Sequence, residues 1–224
     1  MTRDQISRLA ITAPITALLF DGDHNILCMG SGGQLLVYKH VGIEDGGIKA
    51  VMIGPVDIFD THSIHGIKVM GKTLPKVIIF GGKAASVATI KSRANSNDHY
   101  DLKIDFNMQN LDDLVLDCTA VDDLLLIGFA HNFIDIMSEE KKERKYVCIL
   151  RVQCTDISAL FSLSIVTASI GISKKDCSKV LVASGTAFGK IILWNFDASC
   201  DERPIAALSP TLRASDILTG HEGV

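Results

Sequence analysis

Residues 182–196, VASGTAFGKIILWNF, hold two glycines, a lysine behind the second, and the one tryptophan of the chain. A phosphate-cradling loop needs four residues between its first glycine and a Gly-Lys pair, then Ser or Thr, then a helix. Only three residues separate Gly185 from Gly189, and Lys190 is followed by Ile191, Ile192 and Leu193. That continuation is β-branched and apolar, so the stretch predicts a turn between two strands, with Lys190 opening the second. GSGGQ at 30–34 and GGKAAS at 81–86 read the same way. No helix follows either, as a dinucleotide fingerprint would require.

Other groups with ligating or catalytic chemistry are dispersed. The densest is Asp60, His62 and His65 in DIFDTHSIHGI. Histidine with carboxylate suits zinc or iron, but His65-Gly66 is a repeat marker in reversed order at the start of a strand, which predicts a structural role. The acids at Asp21 and Asp23, Asp112 and Asp113, and Asp122 and Asp123 fall at turns, whereas glycoside hydrolysis needs two carboxylates facing one cleft. His24 and His131 fall in inter-strand turns, His131 capping its turn beside Asn132. No serine sits in a GxSxG elbow. The six cysteines, at 28, 118, 148, 154, 177 and 200, form no CxxC pair and lie at no finger-like distance from histidine. They predict structural thiols, not ligands or disulfides. No catalytic residue, metal site or cofactor is expected, and the chain is not expected to be an enzyme.

Twenty-two basic and 26 acidic residues leave a net charge of −4, which excludes a global electrostatic footprint for nucleic acid. The one dense charge run, EEKKERK at 139–145, mixes signs and reads as a solvated loop. A 47% hydrophobic fraction and a mean hydropathy of +0.28 argue against disorder. No apolar run approaches the roughly 18 residues that cross a bilayer. The N-terminal MTRDQISRLAITAP has no sustained apolar segment. A cytoplasmic location without membrane insertion is therefore the expectation.

The elements that must position all of this repeat. ILCMGSGGQLLVY (26–38), VIIFGGKAASVATI (77–90), LLLIGFAHNFIDIM (124–137) and VLVASGTAFGKIILW (180–194) each join a short apolar strand to a second through a turn of small residues. Gly30, Gly81, Gly128 and Gly185 mark them at intervals of about 50 residues. An apolar stretch precedes each, and KAVMIG, LKIDFNM and KYVCILRV follow the first three as outer strands, with PIAAL in that place in the fourth. Four short strands per repeat is the unit of a propeller blade. The expected fold is all-β, an incomplete WD40-type β-propeller with blades at about 14–60, 61–108, 109–156 and 157–212, and with 218–224 opening a fifth. WD-type repeats pair a Gly-His before the first strand with a Trp-Asp ending the third. Trp194-Asn195 and Gly220-His221 are the markers here, joined by His65 and Gly66. Ala187 and Phe188 occupy the turn where an acid would orient such a histidine, so the usual hydrogen-bonded network is expected to be incomplete. The reading frame is expected to continue past Val224.

Ordered along the chain are PITALLF with GSGGQLLVY, SIHGIKV with VIIFGGKAASVATI, NLDDLVLDCTAV with GFAHNFIDIM, and VASGTAFGKIILW with GHEGV. With these stretches, nearly the whole chain resembles the beginning of the WD-repeat family that acts as non-catalytic partner of a tRNA ribose 2′-O-methyltransferase. Asp112-Asp113 departs from that family's acid-tryptophan pair, and Gly189-Lys190 from its asparagine-glutamate pair.

The resemblance implies a scaffold or regulatory subunit in methylation of the wobble ribose. It would hold the catalytic subunit, which carries the S-adenosylmethionine site, and help position the tRNA anticodon arm. The alternative is a generic propeller adaptor for other proteins, in trafficking or signalling, because the fold itself does not choose. Any tRNA contact must be local, at Lys91 and Arg93, at Lys141, Lys142, Arg144 and Lys145, and at Lys174 and Lys175. In an antiparallel blade, connections after first and third strands leave from the same end, which puts the three groups on one rim.

Overall fold

The computed structural model describes residues 14–44, 47–70, 75–92, 100–121, 124–140, 145–169, 178–198, 211–212 and 216–219. All seventeen elements described are strands. The chain divides into two compact units, 1–110 and 111–224.

In the first unit, β1 (Ile15–Asp21), β2 (Ile26–Ser31), β3 (Gln34–Glu44) and β4 (Gly47–Asp57) form one antiparallel sheet in chain order. β5 (Gly66–Met70), β6 (Lys76–Gly81), β7 (Ala84–Ser92) and β8 (Tyr100–Met108) form the next. In the second unit, β9 (Val115–Val121), β10 (Leu124–Phe129), β11 (Phe133–Glu140) and β12 (Lys145–Cys154) form the third sheet. The fourth contains β13 (Leu160–Ser169), β14 (Ser178–Thr186) and β15 (Lys190–Ala198). β16 (Thr211–Leu212) adds a two-residue parallel bridge to the end of β12, and β17 (Asp216–Thr219) completes the fourth sheet beside β15.

That last pairing corrects the sequence expectation. The strand on the outer edge of β15 is Asp216–Thr219, with Ile192 opposite Ile217 and Ile191 opposite Leu218. PIAAL lies outside the described residues. Proline brings no N–H to a ladder and alanine is a poor strand former, whereas DILT supplies donors and β-branched side chains. Leu218 and Thr219, read as the approach to a fifth blade, thus belong to the fourth sheet.

GTAFGK is the turn between β14 and β15, and Lys190 opens β15 as expected. The Gly189 amide donates to the Thr186 carbonyl at 3.2 Å, and Gly189 takes a left-handed φ of 74°. Thr186 Oγ1 accepts the amides of Phe188 and Lys190 at 3.3 and 3.1 Å. This is a three-residue hairpin connection whose last position needs positive φ. It has no phosphate cradle.

Each unit is held by its own apolar core. In the first, Cys28, Leu35 and Val37 pack with Ile64, Ile67, Val77 and Ile79. In the second, Leu126, Ile134 and Val152 pack with Leu163, Ile165, Val180, Val182, Ile192 and Trp194. Each such side chain withdrawn from water contributes about 1.5–3 kcal/mol. Burial patterns follow position. β10, LLLIGF, is buried at every residue, whereas Lys179–Ser184 of β14 bury every second residue and leave Leu181 exposed.

The connection 58–64 crosses the β2–β3 turn at bonding distance. The Ile58 and Phe59 amides donate to the Gly33 carbonyl at 3.0 and 3.1 Å, and the Ile64 amide donates to Gly32 at 2.7 Å. A Cβ on Gly33 would lie 2.0 Å from the Phe59 carbonyl oxygen, so only glycine permits this approach. Gly33→Ala is expected to destabilise the fold by about 1–3 kcal/mol in urea unfolding. Gly22→Ala, whose Cβ would meet only a Phe20 ring carbon at 3.7 Å, should cost under about 0.5 kcal/mol. Equal costs would refute the crossing as the reason for Gly33.

Candidate functional site

Trp194 is fully buried in the third strand of its sheet, so its indole N–H needs a partner inside the protein. It finds Asn132 Oδ1 at 3.1 Å and Ser184 Oγ at 3.4 Å. Ser184 also donates to Asn132 Oδ1, at 2.7 Å, and Asn132 Nδ2 donates to the Asp156 carbonyl at 2.8 Å. Asn132 is not on the same sheet as Trp194. It closes the β10–β11 turn with φ 60°, the position that Gly189 holds in the next sheet. Asparagine is among the few side-chain-bearing residues that accept this conformation. Its amide can therefore enter the core from a turn.

The network sets the rim that these turns form. The Asn132 carbonyl accepts from Cys154, and the Ala130 carbonyl from Leu160. The Ala130 amide donates to Leu114, and the Ala187 amide to Ala159. Four segments of the second unit are thereby tied into one edge: 111–114, 130–132, 154–160 and 186–189. Exposed on it are Phe188 and Phe161, each at 80%, with Ile157 at 59% and Leu114 at 49%. The comparable edge of the first unit is polar, with Asp60, Thr61, Ser63, His65 and Lys83 exposed. Lone exposed apolar residues are ordinary; two aromatics and two aliphatics exposed in or beside the same tied turns make this edge a candidate interaction surface.

Charged groups brace the same edge. Asp113 Oδ2 accepts the His131 amide at 2.9 Å and faces its ring Nδ1 at 2.8 Å, while Oδ1 accepts the Leu114 amide at 2.8 Å. Burial alone would raise the Asp113 pKa, but the hydrogen bonds from His131 and Leu114 outweigh it and hold the carboxyl below its ordinary value. Asp112 takes a different task. It meets Arg151 Nη2 at 3.2 Å, while the Arg151 fork grips Asp135 at 2.6 and 2.8 Å and lies 4.4 Å over the Phe133 ring. Asp112 and Asp113 therefore have two different structural uses.

The residues singled out from sequence separate into distinct places. Trp194 is central to the network, and Asn195 beside it is exposed. His65 is exposed; its amide donates to the Phe80 carbonyl at 2.8 Å. Gly66 opens β5 where a Cβ would enter the Phe80 ring, 2.1 Å from Cζ. His131 does not carry the turn; Asn132 does. Asp60 exchanges hydrogen bonds with Gln109, His62 packs against Gly82, and its buried Nε2 has no partner among the described residues. Among the described residues, no three His, Cys, Asp or Glu side chains are grouped to hold a metal. Cys28 is pushed up to about 12 by burial and by Asp21, leaving it an unreactive thiol.

Lys91 is exposed near the end of β7, and Lys145 opens β12 opposite Glu140. Arg93, Lys141, Lys142, Arg144, Lys174, Lys175, Gly220 and His221 lie outside the described residues. Among the described residues, no helix is long and apolar enough to cross a membrane.

The residue that sequence reasoning missed is Asn132. Its signal was an asparagine at a turn position that the neighbouring repeat fills with glycine. Asn132→Gly keeps the turn but removes the amide. The variant should lose about 2–4 kcal/mol in chemical denaturation, because buried Ser184 and Trp194 lose a shared acceptor. A loss below about 0.5 kcal/mol would show the network to be incidental. Asp113→Asn tests the rim. The depressed carboxyl contributes stability that is present above its ordinary pKa and lost as pH falls through the lower folded value. Wild type should melt higher than the variant at pH 6, with the gap narrowing as pH falls below the ordinary carboxylate range; a gap independent of pH would exclude this contribution.

No protein-family model matches the chain, and no curated protein sequence matches it. Among solved structures, the chain is similar to the crystal structure of Saccharomyces cerevisiae Sqt1. The two share 10% identity with a TM-score of 0.57, over 82% of this chain and 46% of that one. The chain thus spans about half the length of the Sqt1 chain. At this identity the likeness concerns the fold. With four sheets each built on four antiparallel strands, the third extended by the two-residue β16, the fold is that of an incomplete WD40-type β-propeller.

Proposed function

We propose that the chain is a non-catalytic protein–protein adaptor that engages its partner through the rim of the second unit. The observation supporting this is the exposure of Phe188, Phe161, Ile157 and Leu114 on an edge that buried hydrogen bonds hold in place. Rigid aromatic and aliphatic anchors are the usual centre of a binding interface, because they desolvate large areas at small entropic cost. The finer reading is a scaffold subunit for the catalytic subunit of a tRNA 2′-O-ribose methyltransferase in the cytoplasm. Its support is the ordered series IHGI, GFAHN, SGTAF and GHEGV. The catalytic subunit would bring the cofactor, and tRNA would touch this chain only locally.

Co-purification with that methyltransferase subunit tests the finer reading, and Phe188→Asp and Ile157→Asp test the rim. Wild type should retain the subunit, and each variant should weaken retention by on the order of tenfold or more without a change in melting temperature. Rim-dependent capture of other proteins, with the methyltransferase missing, would leave a generic adaptor. Capture indifferent to both variants would remove the rim as the docking edge. For the RNA contact, the charges of Lys141, Lys142, Arg144 and Lys145 are reversed in the complex, and tRNA affinity is measured at two salt concentrations. A contact predicts weaker binding and a shallower salt slope; unchanged values would exclude this loop.

A further inference from the structure

The apolar edge of the second unit carries one polar ring that is held in a fixed setting. Asp113 Oδ2 accepts the His131 amide at 2.9 Å and lies 2.8 Å from its ring Nδ1, while Oδ1 accepts the Leu114 amide at 2.8 Å. Burial opposes the charge of Asp113, but these bonds outweigh it and keep the carboxyl ionised. An ionised carboxylate only accepts, so the ring places its proton on Nδ1. In the neutral imidazole the lone pair is then on Nε2. The Asp113 side chain is 14% exposed and that of His131 is 59% exposed. The setting is thus sheltered, and the ring is open to a partner.

His131 sits between the two aliphatic anchors of the edge. The neighbouring Ala130 donates to the Leu114 carbonyl and accepts from Leu160, which joins the segment of Leu114 to that of Ile157. Charge around the ring is mostly negative. Arg151 on β12 is committed to Asp135 and Asp112. Asp156 has its carboxyl held below the ordinary value by hydrogen bonds from Ser158, whose amide lies at 3.0 Å. Lys190, exposed at the start of β15, is the second cation. Asp112, Asp113, Asp135 and Asp156 therefore outnumber Arg151 and Lys190 on this edge, among the described residues. A positively charged hydrogen-bond donor complements that arrangement, because Nε2 accepts from it and the carboxylates attract it. An acidic group would find neither.

On the adaptor reading of this edge, on which the inference rests, we propose that the docked protein segment presents an arginine or lysine beside an aliphatic or aromatic anchor. Its cation faces His131 Nε2, and its anchor lies on Leu114 and Ile157. His131 then also sets when the segment leaves. Protonation turns Nε2 into a donor and adds a positive charge facing the partner's cation, so mild acid loosens docking.

A random peptide library displayed against the purified chain tests this without a choice of partner. Peptides that bind wild type and are lost on Ile157→Ser should carry arginine or lysine next to an aliphatic or aromatic residue. A synthetic copy of one such peptide should bind wild type roughly three- to tenfold more weakly at about pH 5.5 than at about pH 7.5. His131→Gln keeps an acceptor that does not titrate, so its affinity should be level across that range. Melting temperatures of both variants at each pH separate docking from folding. Ile157-dependent peptides that are acidic or uncharged would overturn the proposal and leave the adaptor edge standing. A pH dependence that persists in His131→Gln would also overturn it. Absence of any Ile157-dependent peptide would overturn it together with the edge itself.

Discussion

A buried asparagine amide organises the second unit. Asn132 Oδ1 accepts from both the Ser184 hydroxyl and the Trp194 indole, and its Nδ2 donates to the Asp156 carbonyl. Each of these polar groups would be costly to bury alone, and together they are satisfied. The amide reaches them only because the β10–β11 turn places Asn132 in the left-handed region. Turn geometry, sheet spacing and the orientation of the one tryptophan are therefore one constraint. The aromatic rim stands on the same turns, so its shape inherits the rigidity of the core.

The two units solve a shared problem with different chemistry. In the first, glycines at 30, 33 and 66 let main chain, an isoleucine and a phenylalanine ring approach without a side chain between. In the second, Asn132 and Asp117 bridge sheets with hydrogen bonds, the latter accepting the Ile165 amide at 2.8 Å. Their edges differ accordingly. Asp60, Gln109 and Asn107 keep the first polar, with Asn107 Nδ2 donating to the Ile58 carbonyl at 2.9 Å. Among the described residues, the edge of the second unit carries exposed aromatics, Phe161 and Phe188. The two edges therefore differ in polarity, although both use the same four-strand unit.

Repeat period and β-branched runs were enough to read four sheets of short strands, because the pleat fixes an alternation that any apolar face must follow. The turn at 185–190 was legible for the same reason. Its spacing denies a phosphate loop and its apolar continuation demands a strand. The outer strand of the fourth sheet was not legible. PIAAL and DILT are both short and apolar, and the choice between them depends on which segment can donate to the edge of β15.

Asn132 and Gly189 look unrelated in sequence, and only the backbone shows that both fill the positive-φ place of a hairpin. The sequence by itself determined the class of fold and the turns, since these follow from local pattern and residue type. Only the tertiary structure decided that Asn132 holds the tryptophan, that Asp112 and Asp113 serve different partners, and that Gly185 faces away from its own core. Those outcomes rest on contacts across 10 to 62 residues of chain. Such contacts are set by sheet stacking, not by periodicity.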